Sequence, residues 1–262
     1  MPEHISIIQH NVDNGVTEPK YALTDENTIV VIKTLNGAEG NLVLFNEFFC
    51  YRLALLIGLP MPISGNWLVD GNTVDYNNTI TPKQRGLGFF STYLDKSIVL
   101  NDNIIALINN KEDFYKLIMF DHVVFNTDRN KGNLLVQYKK NNISLRVIDH
   151  THVFINQAIW DSYCLKRGMV ERDFLSTKVI EYNRFVYEMF FSALPPSKGE
   201  LDEVSKVIRN RYNEKALKSI INDIPKEWRP SEDDEEALIE YILYRIEHIN
   251  EIESVILNNW DN

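Results

Sequence analysis

The sequence predicts an α+β chain of two unequal lobes, a small β-rich lobe with one helix followed by a larger, mostly helical lobe. Three observations predict it. The first part of the chain alternates short extended runs with turn signals and carries one long helical stretch. From about residue 101 the pattern changes to longer helical segments. Those segments are interrupted once, by two short apolar runs, LLVQY and SLRVI, joined through Lys139-Lys140-Asn141-Asn142. The expected division is residues 1–95 and 96–262.

Within the first lobe, residues 19–24 and 28–34 read as a hairpin closed by Thr24-Asp25-Glu26-Asn27. The second run, TIVVIKT, is β-branched and nearly continuous, as a buried strand should be. A helix is expected from Asn41 to Ile57, stopped by Gly58 and Pro60. Residues 63–69 and 72–76 suggest a strand pair around Asp70-Gly71-Asn72. The stretch QRGLGFFSTYL reads either as a strand or as the crossing between lobes. In the second lobe, helices are expected over 101–109 and 111–124, and nearly everywhere beyond Thr151. The last is a charged helix from Glu232 to Leu257, whose acidic start suits a helix N-terminus.

Composition bounds the function. The chain has 262 residues, 44% of them hydrophobic, which is enough for a substantial core. The net charge of -10 disfavours binding to nucleic-acid backbones, so no direct nucleic-acid partner is expected. Two distant cysteines, Cys50 and Cys164, form neither a disulfide framework nor a zinc spacing. The start MPEHISIIQH is no signal peptide, and no apolar run approaches the roughly 20 residues of a membrane span. The expectation is a cytoplasmic protein without a membrane partner.

The segment NTDRNKGN carries the chemistry. It begins where an apolar helical pattern ends and finishes where a strand begins. Burying so much polarity is costly unless the loop binds something. Asp128 and Asn133 lie on this loop, and Asp149 follows the hairpin that starts there, so the hairpin returns Asp149 close to the loop. Oxygen ligands of this kind suit Mg²⁺ together with phosphates and water. Phosphoryl transfer needs such a set, with one carboxylate for the acceptor hydroxyl and an Asn and an Asp for metal. Asn133 lies five positions after Asp128, as in the H-R-D-L-x-x-x-N loop of protein kinases. The order differs, because arginine follows the aspartate here and His150 stands where D-F-G has phenylalanine.

A cation for the phosphates is expected from Lys33, late in the apolar strand, in a V-A-I-K-like context. Glu47 shares a helix face with Val43, Cys50 and Ala54 and needs a partner, for which Lys33 is the obvious choice. Glu39 is the rival partner. A phosphate-covering turn is expected at Asn14-Gly15-Val16-Thr17, with Gly15 and Thr17 as its ligating residues; an ordinary turn fits the same residues. His150 and His152 lack the further ligands of a zinc site and read as structural or supporting residues, and Asp121 as a brace for the loop.

The stretches IVVIKTLNGAEGNLVLFNEFFCYRLALLIGLPMP, RGLGFFSTYL, FDHVVFNTDRNKGNLLV and VIDHTHVF resemble the HipA-like kinase family. The resemblance covers roughly residues 12 to 160 and is most specific in NTDRN-x-GNLL and IDH-x-x-x-F. It is to the compact branch, without the extra N-terminal subdomain of the persistence toxins. It implies a bilobal protein-kinase-like fold and a kinase that uses ATP and Mg²⁺, acting on Ser or Thr of a protein substrate. By position it implies that Lys33 holds phosphates, Glu47 orients Lys33, Asp128 is the catalytic base, and Asn133 and Asp149 bind metal. Leu87, Gly88 and Phe89 would line the adenine pocket. An antitoxin or other regulatory partner is a further implication. The alternatives are an inactive kinase-fold adaptor and a kinase for a small-molecule or lipid acceptor.

Overall fold

The computed structural model describes residues 3–12 and 17–260. Its first part is a six-stranded sheet with one helix. Strands β1 (Glu3–Asn11), β2 (Lys20–Thr24) and β3 (Ile29–Lys33) form an antiparallel run. After helix α1 (Leu42–Leu56) come β4 (Ser64–Val69), the two-residue β5 (Val74–Asp75) and β6 (Gly86–Thr92). The sheet order is β2-β3-β6-β4-β1-β5, and β1 also pairs with β2, so the sheet curls towards closure. One small core, built on Ile5, Ile8, Val30, Ile32, Trp67 and Phe90, fills this curl.

Helix α1 is apolar nearly all round, and such a helix must be covered on every side. It packs between β4 and β6 on one flank and the C-terminal helices on the other, with Trp228 edge-on to Phe48. Gly58, with φ of +66°, ends its C-terminal turn. The larger core continues from α1 through the rest of the chain.

The second part begins with β7 (Ser97–Val99), which joins β8 (Leu134–Lys139) and β9 (Asn142–Val147) in a three-stranded antiparallel sheet. Helix α2 (Asp113–Val123) leads into the polar loop before β8. Helices α3 (Ser162–Val170), α4 (Lys178–Phe191), α5 (Lys198–Arg211), α6 (Glu214–Asp223), α7 (Glu232–Glu247) and α8 (Ile249–Asn259) complete the lobe. No helix among the described residues is long and apolar enough to cross a membrane.

Three expectations are corrected, and one open alternative is resolved. Residues 102–107 form 3₁₀ turns instead of an α-helix. The 63–69 and 72–76 runs do not pair with each other. The Thr73 hydroxyl donates to Ile5 O at 2.7 Å and holds β5 against β1, while β4 pairs with β6 and β1. The QRGLGFFSTYL stretch supplies β6, in the interior of the sheet, and the crossing follows it. The final helix breaks at His248, whose ring stacks on Phe174 at 4.0 Å, so that α8 can turn onto α5 and α2.

Candidate active site

Lys33 is the last residue of β3 and is buried. Its Nζ bonds Glu47 Oε1 on α1, donates to Thr151 Oγ1 at 2.7 Å and to Asp149 Oδ1 at 3.2 Å. Thr151 Oγ1 donates in turn to Glu47 Oε1 at 3.0 Å, and the His150 amide donates to Glu47 Oε2 at 3.2 Å. Burial opposes the charge on Lys33, but Asp149 and Glu47 outweigh it and hold the ammonium above the ordinary lysine range. Burial likewise opposes the charge on Asp149, but Lys33 and the Thr151 hydrogen bonds keep its carboxyl well below the usual range. Burial pushes the Glu47 carboxyl up, and Lys33 offsets part of that rise. Of the two expected partners for Lys33, Glu47 is the one in contact.

Asp149 sits just beyond β9 with φ of +59°, a left-handed conformation that aspartate tolerates. Its Oδ1 accepts the Thr151 amide at 3.2 Å, closing a local turn that stabilises this backbone. Asn46 of α1 then donates to Thr151 O at 2.7 Å and accepts Trp160 Nε1 at 2.9 Å. The segment after β9 is thereby tied to the same helix that carries Glu47.

The NTDRNKGN loop is braced from below. Asp121, near the end of α2, accepts Arg129 Nη2 at 2.9 Å and Nε at 3.1 Å, and both side chains are fully buried. Tyr187 of α4 donates to Asp121 Oδ2 at 3.1 Å, and Asn126 Nδ2 donates to its Oδ1 at 2.8 Å. Asn183 Oδ1 accepts the Arg129 amide at 2.9 Å, and its Nδ2 donates to Asn126 O at 2.8 Å. Arg129 also donates to Ile148 O and to His150 Nε2, both at 2.9 Å, joining the loop to the segment after β9. His150 is held neutral by burial and by the Arg129 charge. With its arginine turned inward, the loop presents Asp128, Asn130 and Asn133 to the other side.

That side is a cleft of about 630 Å³, within the ordinary range for a small-molecule site. Lys33, Glu47, Asp128, Asn133, Asp149, Thr17 and Phe89 all line it. Apolar walls come from Val31, Tyr21, Met61, Leu94 and Leu135. Leu87 and Gly88 do not line it. The Leu87 carbonyl accepts Trp228 Nε1 at 2.9 Å, and a Cβ on Gly88 would come within 2.8 Å of Lys33 O. The small residue there lets β6 run close to β3. Ser91, Thr92 and Tyr93, further along the chain, reach the cleft instead. Gly15, Asn14 and Val16 lie outside the described residues.

Asn133 Nδ2 donates to Asp128 O at 3.0 Å, which leaves its Oδ1 as an acceptor in the cleft that the ionised Asp149 also lines. Among the described residues no three His, Cys, Asp or Glu side chains gather into a metal cage. A carboxylate and an amide oxygen fit a hard cation that draws its remaining ligands from phosphates and water. Sequence reasoning missed Thr151 and read His152 only as a structural or supporting residue. His152 Nδ1 lies 3.1 Å from Asp128 Oδ2 and its Nε2 3.1 Å from Glu39 Oε1. The hydrogen bond to Asp128 raises the His152 pKa to about 9, against partial burial and with help from Glu39. The only signal in the sequence was the spacing of three positions from Asp149.

A β-rich lobe with a lysine–glutamate pair, facing an Asp-x-x-x-x-Asn loop and a following aspartate across a cleft, defines a kinase-fold phosphotransferase. The chain belongs to the HipA-like kinase family, whose model matches residues 5–166. It is similar in structure to the Helicobacter pylori proinflammatory kinase CtkA, with a TM-score of 0.59 and 12% identity over 98% of this chain and 96% of that one. It is also similar to the Golgi casein kinase with Mn/ADP bound, with a TM-score of 0.56 and 10% identity over 98% of this chain and 74% of that one. At these identities the likeness shows the fold. A sequence search of curated proteins finds no match.

Proposed function

We propose that the chain transfers the γ-phosphoryl group of ATP to a Ser or Thr hydroxyl of a protein, in a Mg²⁺-dependent reaction within this cleft. The observation that carries the reading is the lining of one cleft by Lys33 and Glu47 from the first lobe and Asp128, Asn133 and Asp149 from the second. The boundary between the lobes falls at 95/96 in this reading, between β6 and β7.

Each residue has a physical role. Lys33, held charged by two carboxylates, offers its ammonium to the phosphates, and Glu47 with Thr151 fixes where that ammonium points. Tyr21, Val31, Phe89 and Leu135 give the base an apolar slot. Asp128 takes the proton of the acceptor hydroxyl. Asp149 and Asn133 would hold Mg²⁺, which neutralises charge on the phosphate oxygens when bound. The Golgi casein kinase structure, with Mn/ADP bound, supports nucleotide and divalent metal use. Most of the catalysis then comes from positioning and charge compensation, because little covalent chemistry falls to the protein.

The test is incubation with ATP labelled on the γ-phosphate, Mg²⁺ and a lysate of whole-cell proteins. Label should appear on Ser or Thr, and should vanish with chelator or in Asp128→Ala. Label transfer by Asp128→Ala at the wild-type rate refutes the assignment. Label found only on a small molecule or a lipid refutes the protein acceptor.

A further inference from the structure

We infer that the acceptor is a polypeptide segment carrying an acidic side chain near its hydroxyl, docked on a shelf formed by Lys131 and Phe185 beside the catalytic loop. The inference rests on the kinase reading above and names the acceptor that the same site takes.

Asp128 lines the cleft with its side chain 45% exposed, so an acceptor hydroxyl can reach it from solvent beside the NTDRNKGN loop. Lys131 lies on that loop, three positions after Asp128. Unlike Asp128, Asn130, Gly132 and Asn133, it does not line the cleft. Its ammonium sits over the Phe185 ring at 4.7 Å from the centroid. In a chain with 37 acidic and 27 basic residues, this lysine makes no ion pair with a carboxylate among the described residues. The nearby acids of α4 are already engaged, Glu181 by the Thr177 hydroxyl and Glu188 by Arg184. The lysine charge is therefore available to an incoming anion.

The surface around Lys131 is apolar and firmly placed. Phe185 is 59% exposed and Tyr182, one helical turn earlier, 69%. Asn183, between them, bonds the loop backbone at both Arg129 N and Asn126 O, which fixes α4 relative to Asp128. On the other side of the loop, Gln157 Nε2 donates to Thr127 Oγ1 at 3.4 Å and brings Ile159, 71% exposed, alongside. Two exposed rings on α4, with a cation over one of them whose chain neighbours Asn130 and Gly132 line the cleft, complement a short chain that has an acidic residue and an apolar residue flanking its hydroxyl. They do not complement a basic segment, which the overall negative charge would hold but Lys131 would repel locally.

The experiment compares Ser peptides that differ only in the residues flanking the serine, acidic in one set and basic in the other. Wild type should phosphorylate the acidic set with a kcat/KM about tenfold higher, and the preference should shrink as salt is added. Lys131→Glu, a substitution on the surface, should reverse the preference, and Lys131→Met should abolish it. ADP formation by wild type in Mg²⁺ without peptide is read in parallel. ADP formation without an acidic preference, or with a preference that Lys131→Glu leaves unchanged, overturns the docking shelf and leaves the kinase reading standing. Neither ADP nor phosphopeptide overturns both.

Discussion

His152 Nδ1 lies 3.1 Å from Asp128 Oδ2, and the same ring reaches Glu39 of the first lobe through Nε2. One imidazole thus ties the loop after β3 to the NTDRNKGN loop beside the cleft. The Asp128 hydrogen bond, outweighing partial burial, raises its pKa to about 9, so the ring is charged at neutral pH. A group whose pKa is raised on folding contributes stability fully below its unfolded value, about 6.5, and loses it as pH rises through the folded value. The bridge should therefore add about 1–2 kcal/mol at pH 6, given the screening by solvent in the open cleft. That contribution should fade between pH 6.5 and 9. Urea unfolding of wild type and His152→Gln at pH 6 and pH 10 measures it. An equal gap at both pH values would show that the imidazolium contributes nothing.

Thr151 gives a sharper test of the Lys33 cluster. Its hydroxyl accepts from Lys33 and donates to Glu47, so it sets the distance between the two. Thr151→Val keeps the shape and leaves a buried donor and a buried acceptor each short of a partner. The expected loss is about 1–3 kcal/mol of stability, with weaker ATP binding. Thr151→Ser should restore both. Calorimetric titration with ATP, beside thermal melts, reads the two effects; a valine variant with wild-type ATP affinity would remove Thr151 from the site.

The parts of the site that rest on local geometry were legible in the sequence. Asp128 and Asn133 share one loop, and a hairpin must bring Asp149 back beside them. Glu47 could be paired with Lys33 because it is a carboxylate on an apolar helix face. Contacts made over long sequence separations were not legible. Trp228 caps the Leu87 carbonyl from 141 positions away, and nothing local signals that. Gly88 was expected in the adenine pocket from the family resemblance, yet it is small because the β3 backbone passes against it. The registers of β4 and β5 were misread for the same reason, since β1 supplies partners that no adjacent turn announces. His152 was read as a structural or supporting residue, but its partners, Asp128 and Glu39, could not be named because they come from two different lobes.

The Asp121–Arg129 pair should govern the placement of the loop. Both groups are fully buried, so deleting one strands the other charge without water. Asp121→Ala should cost about 3–5 kcal/mol and lower the melting temperature steeply. A double variant, Asp121→Leu with Arg129→Met, should recover only part of that stability, because it removes both buried charges but takes a partner from Tyr187, Asn126, Ile148 O and His150. It should still lose phosphoryl transfer, because the apolar pair cannot hold Ile148 O and His150 in place. A double variant that is stable and fully active would show that the pair is a packing feature and does not position Asp128.

Asp149 combines a charge with an unusual backbone, and two substitutions separate them. Asparagine tolerates a φ of +59° and can keep the bond from the Thr151 amide, but it carries no charge. Two carboxylates now face one lysine, and the Asp149 charge adds to the upward shift at Glu47. Removing that charge leaves Lys33 and Glu47 as a balanced pair. Asp149→Asn should keep the backbone geometry but melt below wild type, because the fold favours the ionised carboxylate, while losing on the order of 10³-fold in phosphoryl transfer, several kcal/mol of transition-state stabilisation. Valine is strained in the left-handed region and should cost a further ~1–2 kcal/mol of stability. Thermal melts with rates measured across a Mg²⁺ titration distinguish the cases. Should the asparagine variant keep the wild-type rate and Mg²⁺ dependence, the charge at this position would have no part in the reaction, and the cleft would have to hold its metal elsewhere.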